Sequence, residues 1–376
     1  MAAFLLLGFR EQEAARRNFR RQRVFRDRLN PLDHYDDSEM LKNYRFSREG
    51  VLRIIDIVKD DLQKPTNRSH ALDPSIQVLC ALGYYAKGEL MSDRAEIHHV
   101  SIPTVSQTVK AVTQALIRKK DERPANDITS VVWRRCVLYY ACGRRRTKYI
   151  RFPTTPLEVR QSQEDFFGVA GFPKITGIID CTHVTLRGCH LLEAEHHYVN
   201  RKKQHSINVQ LVCTSDYKIS NVVARWPGGA HDSRILCNSR LARGFTSGIL
   251  QGVLLGDLGY PQLPWLMTPY LDTQGIPARE SYSRAHKKTR VRIEQLNGQL
   301  KNKFQCLHGL SYQTPERCSE IIVACCILFN LSKIFNEPAD VEDHIEVDRV
   351  EAQGYDGDVH LEGVAARDDI VNNLFV

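Results

Sequence analysis

Two short apolar runs that each stop on a carboxylate narrow the possible folds more than any other feature. Ile175-Thr176-Gly177-Ile178-Ile179 ends at Asp180, and Gly252-Val253-Leu254-Leu255-Gly256 ends at Asp257. Runs of this length and composition read as strands buried on both faces of a sheet. An acid at the end of such a strand must leave the apolar interior or find a partner, because an isolated buried charge is costly. Asp180 has no lysine or arginine within five residues on either side to supply one. Two further acids downstream complete a set of four: Asp232 in the first turn of a helix, and Glu294 within a long basic helix. Together they suggest a carboxylate cage for divalent cations.

The segments between these acids follow regular periods. Ser206 to Cys213 alternates, with Ile207, Val209, Leu211 and Cys213 on one face and Asn208 and Gln210 on the other, the pattern of a half-buried strand. The Thr214–Lys218 turn returns it into a strand from Ile219 to Trp226, which Pro227-Gly228-Gly229 breaks. Asp232 then opens a helix reaching about Arg243, and Trp265-Leu266-Met267 adds a last strand between Pro264 and Pro269. Arg284 to Phe304 is a basic helix whose sole acid is Glu294, and Thr314-Pro315-Glu316 opens a helix that is apolar almost all round from Ile321 to Leu331, hence buried. Three strands with short returns, a helix, two more strands and two helices is the order of an α/β, RNase H-like core: a mixed sheet flanked by helices. In that fold the catalytic acids come from the first strand, the first helix, the fourth strand and a late helix.

Upstream the pattern is helical. Ser47 caps a helix carrying Val51, Ile54, Ile55, Val58 and Leu62 on one face, and Asp73-Pro74 starts another that runs from Ser75 to Ala86 and stops at Gly88. A short helix from Ser92 to His98 is followed by Ser101, which caps a longer one with Ile102, Val105, Val109, Val112 and Leu116 inward. A short helix, a tight turn and a longer helix form a helix-turn-helix candidate. Its second helix would present Thr104, Ser106, Gln107, Thr108 and Lys110 outward, so Thr104, Gln107 and Lys110 are candidate DNA contacts. The same features also suit an ordinary helical domain with a polar outside.

The expected divisions are a basic arm (1–40), the helical domain (41–120), a linker or insertion with no clean period (121–156), the nuclease-like domain (157–336) and an acidic, disordered tail (337–376). The chain of 376 residues is long enough for two domains with separate cores. Its net charge of +8 conceals an asymmetry: the tail holds twelve acids against Arg349 and Arg367, so it carries −10 and the remainder +18. Eight arginines fall between residues 10 and 28. Such a surplus attracts polyanions, nucleic acid first and anionic membrane second. Eleven cysteines show no CxxC pair, which fits buried reduced thiols. No apolar run approaches the ~20 residues of a membrane helix.

The chemistry open to four such acids is phosphodiester cleavage or transfer with two Mg²⁺ or Mn²⁺ ions, which require hard oxygen ligands. Each acid also has a structural explanation: Asp232 as a helix cap, Asp257 as a turn residue before Gly259, Glu294 as a partner of Arg290 on its own helix. No G-x-S-x-G, P-loop or H-E-x-x-H motif offers another chemistry. His183 and His231 each stand beside an acid, either orienting it or serving as hydrogen-bonded structural residues.

With these residues in view, the chain resembles the PIF/Harbinger transposases and the host proteins derived from them. The matching blocks are Asp180-Cys181-Thr182-His183-Val184; Tyr198-Val199-Asn200-Arg201-Lys202 with His205-Ser206-Ile207-Asn208; Trp226-Pro227-Gly228 with His231-Asp232-Ser233-Arg234; Leu255-Gly256-Asp257 with Gly259-Tyr260-Pro261; Leu266-Met267-Thr268-Pro269; and Arg290, Glu294, Gly298, Leu300, Lys301 and Phe304. Cys181, Leu258 and Asn297 depart from the usual residues. The resemblance implies a DDE-type nuclease domain that cuts DNA at transposon ends and joins the free ends to a target. Asp180, Asp257 and Glu294 would be catalytic, and with Asp232 they would bind the metal. Arg201, Lys202, Arg290 and Lys301 would join the DNA contacts. A Myb-like accessory protein, work in the nucleus and a possible homo-oligomer are further implications. A domesticated, non-catalytic DNA-binding scaffold is the alternative, and an RNase H-type ribonuclease would share the same acids.

Overall fold

The computed structural model describes residues 30–64, 71–88, 91–118, 149–189, 191, 194–273, 275–312, 314–338, 355, 357–358 and 360–375. The arginine-rich segment 10–28, the run Arg144–Lys148 and most of the segment 121–156 lie outside these residues.

Local capping signals set the helical half. Helices α1 (Pro31–His34) and α2 (Asp37–Tyr44) occupy the end of the expected basic arm, and α2 starts on a capping box in which Asp36 and Glu39 exchange backbone hydrogen bonds of 2.7 and 2.9 Å. The arm expectation therefore fails from Pro31 onward, where buried Met40 and Tyr44 draw the chain into the core. Helix α3 (Arg48–Leu62) is capped by Ser47, whose backbone N–H and hydroxyl both donate to Glu337 (2.7 and 3.0 Å). Helix α4 (Pro74–Lys87) ends at Gly88, where φ is +62° and a Cβ would lie 2.9 Å from the Cys306 backbone, so only glycine fits without strain. Helices α5 (Met91–Ile97) and α6 (Ile102–Arg118) form the expected short-turn-long pair. Tyr85 on α4 shares a 2.7 Å hydrogen bond with Thr113 on α6.

Helix α7 (Pro156–Ala170) leads into β1 (Ile175–Thr185), and the short helix α8 (Glu195–Tyr198) lies in the long connection to β2 (Ser206–Cys213) and β3 (Ile219–Pro227). Helices α9 (Asp232–Cys237) and α10 (Arg240–Thr246) precede β4 (Val253–Leu255) and β5 (Leu266–Met267). Helix α11 (Pro277–Lys303) is followed by a 3₁₀ turn (Gln305–His308), α12 (Pro315–Ile334) and α13 (Leu361–Leu374). The five-stranded sheet has the order β3-β2-β1-β4-β5, with β1 antiparallel to β2 and parallel to β4. The sheet, flanked by helices on both faces, is the expected mixed sheet of an RNase H-like core. Strand β1 is thus central, paired on both sides.

Helices α9 and α10 cover one face, where Leu236, Leu241 and Phe245 pack on Ile179, Val212 and Leu254. Helices α11 and α12 cover the other, over Ile178, Leu211 and Leu255. That second core continues without a break into Val51, Leu79, Tyr85 and Val112 of the N-terminal helices. The expectation of two separate cores therefore does not hold: α12, apolar all round, is sandwiched between sheet and helical bundle. Buried Asn330 on α12 accepts from the Ile219 N–H (2.8 Å) and donates to the Ile219 and Tyr149 carbonyls (2.7 and 2.6 Å), tying α12 to the sheet and to the chain at Tyr149. Strand β2 is buried on both faces, not one, because α9 and α10 cover the polar side as well.

The acidic segment also departs from expectation at its end. Residues 361–374 form α13, with Ile370 and Val371 buried and Phe375 against Phe172 and Tyr282. Counting acids concealed an inward stripe of Gly363, Ala366, Ile370 and Val371. Tyr270 donates to Asp368 (2.6 Å), the Arg367 guanidinium stacks 3.9 Å from the Tyr270 ring, and Gln262 donates to the Gly363 carbonyl (3.0 Å).

Candidate active site

The register of the parallel ladder brings two of the acids together. Ile178 pairs with Leu255, and Asp180 and Asp257 each lie two residues further on. Period-two alternation places both on the face of Ile178 and Leu255, on neighbouring strands and beneath α11. Asp257 accepts the Gly259 N–H (3.0 Å), which fixes the turn leaving β4. Glu294 lies on α11, together with Arg290 and Asn297, at helical spacings of four and three, so one stripe of the helix faces the acids. Asn297 donates to Asp180 Oδ2 (3.1 Å). The Arg290 guanidinium hydrogen-bonds Glu294 and stands 3.7 Å from Asp180 Oδ1.

Asp232 approaches from the other side of the sheet. It opens α9 and accepts a 2.9 Å hydrogen bond from Asn208 of β2, which also donates to the Ala230 carbonyl. Asn208 is paired with His183, whose side chain alternates with that of Thr182 and so points away from the Asp180 face.

The electrostatics unify the group. The Asp180 side chain is only 16% exposed, and burial pushes its carboxyl far above the usual carboxylate range; Arg290 opposes this, while the charges of Asp257 and Asp232 add to it. Asp257 is raised in the same way, by burial and by Asp232 against Arg290 and Arg201. Like charges held this close cannot all ionise cheaply without a cation. Among the described residues no three His, Cys, Asp or Glu side chains yet converge on one point. The donor set, oxygen ligands of a single charge sign in mutual repulsion, has the chemistry that suits hard dications.

Of the other expected residues, Arg201 and Lys202 are exposed in the turn before β2, and with half-buried Lys301 their charges reach His183. They form a basic rim beside the acids. Burial holds the His183 ring below the usual histidine range, Asp232 opposes that, and its Nδ1 lies 3.1 Å from the Ser206 hydroxyl. His231 is exposed and makes no cap. Gln107 and Lys110 are exposed on α6 and Thr104 is half-buried, far along the bundle from the rim in sequence, while Thr108, expected outside, is 6% exposed. Arg290, expected on DNA, points inward because two carboxylates compete for it more strongly than solvent does.

Sequence reasoning missed Asn297, read only as a departure, and His286. The His286 ring is 1% exposed, and its Nε2–H donates to the Met267 carbonyl (3.2 Å), which also accepts the Gly256 N–H (3.0 Å). It thereby ties α11 to the residue preceding Asp257. The helical periodicity of α11 marks position 286 as inward but says nothing of the carbonyl it meets.

Comparison with known proteins agrees with this geometry. The family model for a DDE superfamily endonuclease matches residues 179–330, a span that contains all four acids. The chain is 32% identical to the human protein named "Putative nuclease HARBI1" over 306 residues, covering 80% of this chain and 79% of that protein. The Xenopus laevis protein of the same name is 29% identical over an equal length, with 80% of each chain covered. "Protein ALP1-like" of Arabidopsis thaliana is 24% identical over 311 residues, covering 77% of this chain and 69% of that one. No solved structure matches. On the sheet that sets Asp180 beside Asp257 and on this extent of similarity, the chain belongs to the Harbinger transposase-derived nucleases of the DDE superfamily.

Proposed function

We propose that this protein is a divalent-metal-dependent DNA endonuclease and strand transferase of the PIF/Harbinger type, acting on phosphodiester bonds at transposon ends. The observation that carries the proposal is the pair Asp180 and Asp257, side by side beyond a buried ladder, with Glu294 facing them from α11. Proteins of the DDE superfamily generally use divalent metals. Asp180, Asp257 and Glu294, with Asp232 reaching in across the sheet edge, are the residues that would hold Mg²⁺ or Mn²⁺. Bound there, such ions supply Lewis acidity for attack at phosphorus and for departure of the leaving oxygen.

The chain's own residues do the rest. Asn297 orients Asp180 through its 3.1 Å hydrogen bond, His286 fixes α11 against the Asp257 turn, and the buried sheet below keeps the carboxylates rigid. Arg201, Lys202 and Lys301 hold the phosphate backbone beside the acids, and Thr104, Gln107 and Lys110 form a second DNA surface on α6. Work in the nucleus, with a Myb-like accessory protein and as a homo-oligomer, belongs to this reading. The test is cleavage of labelled transposon-end duplex by the purified chain with Mn²⁺, compared with Asp180→Ala. Cleavage in the parent alone is expected, and equal cleavage by both refutes the assignment.

One observation favours a second reading, a non-catalytic DNA-binding scaffold: Arg290 already pairs with Glu294 and stands 3.7 Å from Asp180. Absence of Mn²⁺ binding at neutral pH would decide for it.

A further inference from the structure

Among the described residues, Arg290 is the basic side chain whose charge acts on both Asp180 and Asp257, where it lowers the cost of ionising each. Its side chain is 23% exposed, and those of Asp180 and Glu294 are 16% and 28% exposed, so all three are shielded from bulk water. The guanidinium fork is only half used. One nitrogen binds Glu294, whereas Nη1 is buried at 3.7 Å from Asp180 Oδ1 and makes no hydrogen bond. Arginine normally engages a carboxylate with two parallel bonds, and a buried donor left without one is costly. Asp180 and Glu294 thus share one guanidinium, whose charge also acts on Asp257.

Resting on the metal-dependent reading above, we propose that Arg290 is a resident counter-cation of the acid cluster: it stands between Asp180 and Glu294 and must leave Asp180 for a dication to load. Arg290 is then a positioning residue with two opposed effects. It stabilises the metal-free fold by offsetting carboxylate repulsion, and it weakens metal binding because the incoming ion must displace an existing favourable contact. Its partner on the helix supports such a swing. The bond to Glu294 is an i,i+4 pair on α11, whereas the contact to Asp180 is the longer and weaker of the two. A bound dication would take over the charge compensation that Arg290 supplies to these half-buried carboxylates.

The test compares the full-length parent with Arg290→Gln and Arg290→Lys. Mn²⁺ affinity is measured by calorimetric titration at pH 7.5, and melting temperature is recorded in EDTA and in excess Mn²⁺. Arg290→Gln is expected to melt lower in EDTA, to bind Mn²⁺ at least about tenfold more tightly and to show a larger Mn²⁺-induced rise in melting temperature. Arg290→Lys, which keeps the charge but loses the fork, is expected to fall between. If both variants bind Mn²⁺ as the parent does or more weakly, the proposal is overturned while the metal reading stands. If no form binds Mn²⁺ at millimolar concentration, the metal reading and this proposal fall together. Should Arg290→Gln fail to fold in EDTA, the comparison rests on Arg290→Lys, where affinity equal to the parent's or weaker overturns the proposal.

Discussion

Replacing His286 by leucine tests how α11 is held against the sheet. The ring is fully enclosed, donates to Met267 and lies within reach of the Arg290 and Arg367 charges; burial is the main cause that pushes its pKa down from 6.5 to about 4. A histidine with a depressed folded-state pKa favours folding in its neutral form. Its contribution is complete above about pH 6.5 and is lost as pH falls towards 4. The displacement of about 2.5 units corresponds to about 3 kcal/mol at 1.36 kcal/mol per unit. His98 in the helical bundle is lowered to about 4 as well, and His183 is lowered by burial, but both are present in parent and variant and cancel in the difference. At neutral pH the variant forfeits one hydrogen bond, about 1 kcal/mol, and Met267 keeps the Gly256 N–H as a partner. The stabilities should therefore cross: His286→Leu is the weaker at pH 7.5 and the stronger at pH 4.5. Urea unfolding in EDTA at the two pH values measures this. A change in the parent-minus-variant difference below about 0.5 kcal/mol between them would refute the idea that His286 is buried neutral.

Three other outcomes are expected. Asn330→Leu leaves the Ile219 N–H without its buried acceptor and two carbonyls without their donor, so it should cost at least about 3 kcal/mol in urea unfolding. Val371→Asp places a charge at a 2% exposed position of α13 and should release that helix, read as new proteolytic cleavage before residue 361 together with a concentration-dependent loss of soluble protein. Arg201→Ala should reduce the slope of log affinity for duplex DNA against log salt by about one unit, whatever the DNA sequence, if Arg201 contacts phosphate.

What could be read in the sequence was whatever depends on neighbours along the chain. The run from Ile175 to Asp180 and the alternation from Ser206 to Cys213 fixed the strands, and Asp73-Pro74 and Gly88 bounded α4 within a residue of the structure. Three of the acids were legible for the same reason, since Asp180 and Asp257 end periodic segments and Asp232 opens one, whereas Glu294 stood out as the sole acid between Arg284 and Phe304. What was not legible depends on residues brought together from afar. Asn330 meets Ile219 across 111 positions and Asn297 meets Asp180 across 117, with no periodicity to announce either. The inward turn of Arg290 is another such case, because a basic helix near a nuclease centre suggests DNA unless the burial of its partners is known. The single continuous core arose where α12 is apolar on every side: the sequence shows that such a helix is buried, but not that two layers share it.

The position of α13 bears on how this protein behaves in solution. Strand β5 is an edge of the sheet and only two residues long, and α13 packs beside it while Phe375 closes over Phe172 and Tyr282. Unpaired strand edges next to exposed aromatic rings are templates for self-association. A chain truncated before residue 355 would therefore do worse than lose a helix: it would present an open edge flanked by Phe172, Tyr270 and Tyr282, and should be recovered as aggregate instead of as a smaller nuclease.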